Sequence, residues 1–157
     1  MYTEKQIWQW LEEVCDPELP VLSITDLGLV RKVEISGNNE ITISITPTYS
    51  GCPAMDMITG NIKEKLLQHG IAQVNIVQSL SPAWTTDWMT ESGKAKLKTY
   101  GVAPPHKASA YNFQLPVPCP LCNSLHTHRI SEFGSTACKA LYQCDDCKEP
   151  FDYFKCH

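Results

Sequence analysis

Two C-x₂-C pairs, Cys119-Pro120-Leu121-Cys122 and Cys144-Asp145-Asp146-Cys147, stand 21 residues apart near the end of a chain of 157 residues. Two residues between thiolates let one tight turn bring both sulfurs to a single ion at about 2.3 Å. The spacing is close to that of tetrathiolate zinc sites. Asn123, just after the first pair, tolerates the left-handed backbone such a turn needs. Residues 119–157 are too few to stabilise a core by burial alone, and a closed Cys₄ site contributes folding energy directly. The four cysteines therefore predict a β-rich zinc ribbon, with short strands expected at Thr127–Phe133, Ala140–Gln143 and Phe151–Phe154. Four thiolates also suit iron or an iron-sulfur cluster, and zinc is the default ion. His126 and His128 either replace one thiolate or face solvent from a strand.

Ahead of the ribbon the patterning is that of an ordinary α+β domain. Thr3 and Gln6 form a capping box for a helix over about residues 3–14, which Pro17 and Pro20 stop. Residues Leu29–Ile35 and Ile41–Ile45 alternate around Gly37-Asn38-Asn39, the pattern of a hairpin. Met55, Ile58, Ile62 and Leu66 share one face of a helix over about residues 53–69, ended by Gly70. Val74–Ser79 predicts a third strand, and Thr90 to Gly101 bounds a last helix. The order is αββαβα, a two-layer domain over residues 1–103. A proline-rich linker over 104–118 and the ribbon over 119–157 follow.

Thirteen Lys and Arg against seventeen Asp and Glu give a formal charge of −4, which argues against a binder of phosphate backbones. The ribbon repeats this: from Leu115 on it holds four basic and five acidic residues, and four thiolates with one Zn²⁺ add −2. It is expected to contact protein, not nucleic acid. The first fifteen residues have no apolar run of a secretory signal and no 18-residue apolar stretch follows, so no membrane is implied and the expected compartment is the cytoplasm.

Cys52 follows the second strand and immediately precedes Pro53 at the start of the second helix, a position that favours thiolate. Thr46, Thr48 and Ser50 place hydroxyls around it, but no histidine lies nearby as a base. A soft thiolate without a base suits a metal or cluster ligand, or a redox-sensitive thiol. One cysteine cannot fill a cluster's shell, so a second chain or a client protein has to supply the remaining ligands. Asp16, Glu18 and Asp26 either orient Cys52 or a bound metal, or serve turns, with Asp16 and Asp26 capping and Glu18 solvated. Trp84 and Trp88 are expected to cover the core, and Cys15, Cys138 and Cys156 to be packing or spare thiols.

Asp16-Pro17-Glu18, Asp26-Leu27-Gly28-Leu29-Val30, the run from Thr46 to Pro53 and Pro82-Ala83-Trp84 together resemble the metal-sulfur cluster biosynthesis domain. Joined to a ribbon with Phe133-Gly134-Ser135-Thr136-Ala137-Cys138-Lys139 and Pro150-Phe151-Asp152-Tyr153-Phe154, the chain resembles the D-type subunit family of the phenylacetyl-CoA epoxidase system. The resemblance implies a non-catalytic accessory role in aerobic phenylacetate degradation. There a multicomponent di-iron oxygenase epoxidises the ring of phenylacetyl-CoA with electrons from an iron-sulfur reductase. Together with the position of Cys52 and the acidic ribbon, the resemblance points to assistance, through Cys52, in assembling or inserting a transient iron-sulfur cluster, with the reductase as client and the ribbon as dock, and ligand counting makes a homodimer one source of ligands. The rival reading is an integral subunit with a structural or electron-transfer role. Cys138 belongs to the family's ribbon motif; Cys156 does not.

Overall fold

The computed structural model describes residues 1–48, 53–105, 116–136 and 138–155, and divides into two compact units. The first comprises Met1–Trp84 with Trp88–Thr90, and the second Thr85–Asp87 with Glu91–His157.

In the first unit, helix α1 (Glu4–Leu11) starts where the capping box places it: Gln6 N–H donates to Thr3 Oγ1 (3.2 Å) and Thr3 N–H to Gln6 Oε1 (2.9 Å). It ends one turn earlier than its apolar period suggests. The N–H groups of Glu13 and Val14 bond to carbonyls three residues back, and the chain then turns into an antiparallel bridge between Cys15 and Ser23. Val14 stays buried without being helical, because that bridge continues its contact with the core.

Strands β1 (Val30–Ile35) and β2 (Ile41–Ile45) form the expected hairpin, with Ile35 opposite Ile41 and Val33 opposite Ile43. Asn39 takes the left-handed conformation in the turn (φ +58°). Helix α2 (Ala54–Gln68) then carries the chain over to β3 (Val74–Gln78), which pairs parallel to β2. β2 is thereby the central strand, with Ile41, Ile43 and Ile45 all buried on one face. Thr42, Ser44, Lys32, Glu34 and Asn75 fall on the other face by strand alternation. One apolar and one polar face is the signature of a two-layer fold.

Gly70 ends α2 as its position predicts. With φ at +86°, its N–H reaches Leu67 O (2.9 Å) and the N–H of Ile71 reaches Leu66 O (3.0 Å), the paired bonds of a Schellman motif. Trp10 of α1 stacks on His69 at this helix end, with centroids 4.0 Å apart.

The second unit holds α3 (Glu91–Tyr100) and a sheet of order β4-β7-β6-β5, built from Val102–Ala103 (β4), Thr127–Ser131 (β5), Lys139–Cys144 (β6) and Pro150–Phe154 (β7). The three ribbon strands lie where their alternation places them. α3 and β4, assigned by pattern to the N-terminal domain, instead group with the ribbon. The physical reason is β-pairing: Val102 and Ala103 align parallel with Asp152 and Tyr153. Ala103 and Val117 enter a core with Cys119, Cys144, Phe151 and Tyr153, so the ribbon's packing extends to both ends of the proline-rich segment. Residues 106–115 of that segment lie outside the described residues.

Gly28 fixes the first unit's chain path. Its φ is +72°, and a Cβ built there meets Trp88 O at 2.5 Å and Trp88 Cβ at 2.7 Å. Gly28→Ala is expected to cost roughly 2–4 kcal/mol, combining left-handed strain with a backbone clash. Gly70→Ala, which meets only the movable Tyr2 hydroxyl at 3.0 Å, is expected to cost less. Urea unfolding of the two variants checks the order; equal losses contradict it.

Candidate functional site

The two C-x₂-C segments fold into matching turns. In the first, Cys119 N–H bonds to Ser124 O (2.9 Å) and Asn123 N–H to Cys119 O (2.8 Å). In the second, Cys144 N–H bonds to Glu149 O (3.1 Å), and Cys147 N–H approaches Cys144 Sγ at 3.5 Å. The residue after each second cysteine is left-handed: Asn123 at φ +62°, as its side chain allows, and Lys148 at +65°, which nothing about lysine signals.

These turns bring all four sulfurs within 4.8 Å of one another. Cys119 Sγ lies 3.8 Å from Cys147 Sγ, and Cys122 Sγ 3.6 Å from Cys144 Sγ. A disulfide needs about 2.05 Å, so neither pair is bonded. A tetrahedral ion with 2.3 Å bonds to sulfur has an edge of about 3.8 Å, which the observed separations match.

The electrostatics of the bare thiols also favour a cation. The N–H of Cys147, donated to its sulfur, is the largest influence lowering Cys144 to about 7. Cys147 receives the N–H of Glu149, yet desolvation and hydrogen bonds with the other three thiols push it up to about 12. Ser124 N–H likewise favours the Cys122 thiolate, but desolvation and the Cys144 and Cys119 thiols raise it. The sulfurs compete for one negative charge, and a bound dication removes that competition by deprotonating its ligands outright.

His126 and His128 do not enter this shell. His126 Nδ1 sits 3.1 Å from Asp146 Oδ2 and His128 Nδ1 2.8 Å from Asp145 Oδ1. Ser124 Oγ also donates to Asp146, and this hydroxyl, followed by His126, holds that carboxyl below its usual range. The residues between Cys144 and Cys147 thus tie the second turn to the segment after the first. The sequence singles out neither Asp145, Asp146 nor Ser124; their only signal there is two carboxylates inside a C-x₂-C pair.

Cys138 is buried beside Thr136, 2.9 Å from its hydroxyl. Next to it, Lys139 Nζ, also buried, donates to Ser135 Oγ (3.2 Å), which donates to Asp152 Oδ2 (3.0 Å).

In the first unit, Asp16 Oδ1 accepts from the N–H groups of Glu18 (2.8 Å) and Leu19 (3.0 Å). Asp26 and Ser23 cap each other: Asp26 N–H donates to Ser23 Oγ (3.0 Å) and Ser23 N–H to Asp26 Oδ2 (3.3 Å). Asp26 Oδ1 also accepts from Thr90 Oγ1 (3.2 Å). Both carboxylates therefore hold turns; Glu18 is half-buried. Thr46 is buried, its N–H bonded to Leu29 O (2.9 Å), and Thr48 is half-buried. Ser50, Cys52 and Cys156 lie outside the described residues, and Cys15 is exposed. Trp84 is a core residue, with Nε1 donating to Leu27 O (2.8 Å). Trp88 is half-buried under the Arg31 guanidinium, 3.7 Å above its ring.

Residues 4–77 match a family model described as iron-sulfur cluster assembly protein, and residues 103–155 one described as the PaaD zinc beta ribbon domain. The chain is 54% identical over 152 residues, 96% of its length and 92% of the relative's, to an Escherichia coli protein named "Putative 1,2-phenylacetyl-CoA epoxidase" and specified as its D-type subunit. It is 34% identical over 98 residues, 62% of its length and 92% of the relative's, to an Fe-S protein maturation auxiliary factor of Porphyromonas gingivalis. Among solved structures it resembles a domain of unknown function from Bacillus anthracis, with a TM-score of 0.56 and 31% identity. That match covers 60% of this chain and 90% of the other.

Chelation of the metal at neutral pH is expected to abolish protection of the β5, β6 and β7 amides in hydrogen exchange while α2 and β2 keep theirs. Unchanged protection in the ribbon contradicts the metal's structural role. Lys148→Gly is expected to raise the ribbon's stability by up to about 1 kcal/mol, read as a shift in its thermal midpoint, because glycine adopts the required φ without strain.

Proposed function

The chain belongs to the D-type subunit family of the phenylacetyl-CoA epoxidase system, and on that premise we propose that it is a maturation factor of the epoxidase system that assists assembly or insertion of an iron-sulfur cluster into the reductase component. The division of similarity along the chain supports this reading. The iron-sulfur assembly match ends at residue 77, ahead of the ribbon, and a maturation auxiliary factor is matched over 92% of its own length. That match spans 98 residues, so such a factor corresponds to the N-terminal part of the chain, the first unit and a little beyond it, with the ribbon added.

Within this proposal Cys52 is the thiol that meets the cluster, which is cargo and is completed by ligands from a client or a second copy. Asp16 and Asp26 shape the turns of the same unit through backbone bonds. Zn²⁺ fills the Cys119, Cys122, Cys144 and Cys147 site in a closed tetrathiolate shell with no open position. It supplies folding energy to a ribbon that docks the client, and the work takes place in the cytoplasm during phenylacetate degradation. No helix among the described residues is long and apolar enough to cross a membrane.

Replacing Cys52 by Ser and measuring the iron-sulfur content of the co-expressed reductase tests the proposal. Occupancy is expected to fall well below that with the wild-type chain; unchanged occupancy rejects it. The name of the Escherichia coli relative, which makes it a subunit of the epoxidase, favours a second reading, an integral part of the oxygenase complex. In that case activity reconstituted from purified, fully loaded components depends on this chain, whereas a maturation factor is dispensable once the clusters are in place.

A further inference from the structure

His128 lies in β5 and His126 immediately before it, on the ribbon. The register sets His128 opposite Gln143, and Asp145 N–H donates to His126 O (2.7 Å), so the pairing continues past the strand's end. The two histidines are two residues apart, His126 at a turn closed by Thr127 N–H on Leu125 O (3.0 Å), and their partners Asp145 and Asp146 are adjacent in the chain. Each ring is gripped at Nδ1 by a carboxylate, His126 by Asp146 (3.1 Å) and His128 by Asp145 (2.8 Å). A carboxylate only accepts, so Nδ1 carries the proton and Nε2 of the neutral ring keeps its lone pair.

Histidine ligands of metals are held this way: the second N–H goes to a carboxylate, which fixes the tautomer and raises the basicity of the ligating nitrogen. No described residue is bonded to either Nε2, and the side chains are 77% and 52% exposed. We infer that His126 and His128 form a second metal site, separate from the thiolate cluster, that takes a divalent transition-metal ion through both Nε2 atoms with Asp145 and Asp146 behind them.

The donor set decides the class of ion. Imidazole suits zinc, nickel, copper and iron and disfavours calcium or magnesium. Two protein ligands leave positions open to water, so the ion exchanges, in contrast to the closed tetrathiolate shell. The supporting carboxylates are the two residues between Cys144 and Cys147, so folding of the first metal's turn positions the second site.

The test uses tag-free full-length chain that already carries one zinc, titrated with Ni²⁺ at pH 8 by calorimetry and by NMR of the imidazole protons. The expected result is one equivalent of Ni²⁺ and loss of the His126 and His128 signals before those of the other three histidines. The H126Q/H128Q double variant is expected to lose that equivalent while retaining its zinc. The D145N/D146N variant is expected to bind about 10–100-fold more weakly. Undiminished nickel uptake by the zinc-retaining double variant, or signal loss centred on another histidine, overturns the inference. The wild-type NMR map needs no substitution and decides the matter even if a variant folds poorly.

Discussion

Four sulfurs converging from two matched turns are the constraint on which the second unit depends. Among the described residues, the buried cluster that includes the thiolates has six members, and two of them, Cys119 and Cys144, are themselves among the four clustered sulfurs. Core and candidate metal site therefore share residues: Cys119 and Cys144 belong to the same buried cluster as Phe151 and Tyr153. That packing in turn has little reason to persist once like charges gather on unneutralised thiols. The hydrogen bonds around the cluster all serve this convergence, from the N–H of Cys147 on Cys144 to the carboxylates that link the second turn to His126 and His128.

The first unit is organised by different physics. It has a conventional apolar face, with every inward residue of β2 buried, and its polar residues close turns around that core. Asp16 and Asp26 are each engaged by backbone N–H groups that a turn would otherwise leave unpaired. The two units thus divide the work, a metal-stapled module on one side and, under the proposed function, a thiol-bearing module on the other.

Much of this is legible in the residues. Capping box, hairpin alternation, the apolar stripe of α2 and its glycine stop are each local signals that the structure realises within a few residues. The C-x₂-C spacing locates the four-cysteine cluster. What escapes is non-local. The docking of Val102 and Ala103 onto β7 depends on a strand fifty residues away, and no periodicity in a two-residue segment announces it. The end of α1 comes early because the bridge at Cys15 and Ser23 outcompetes one more helical turn. The left-handed Lys148 is imposed by the geometry of the turn against the residue's own preference, which is why Asn123 is foreseeable and its counterpart is not.

The division of labour stands on the identity of the ion in the ribbon. X-ray absorption at the metal edge of anaerobically purified chain with one metal per molecule tests it most directly. Zinc surrounded by four sulfur atoms at about 2.3 Å is the expected result. Iron with a neighbouring iron would place cluster chemistry in the ribbon itself and contradict the assignment of that chemistry to the first unit.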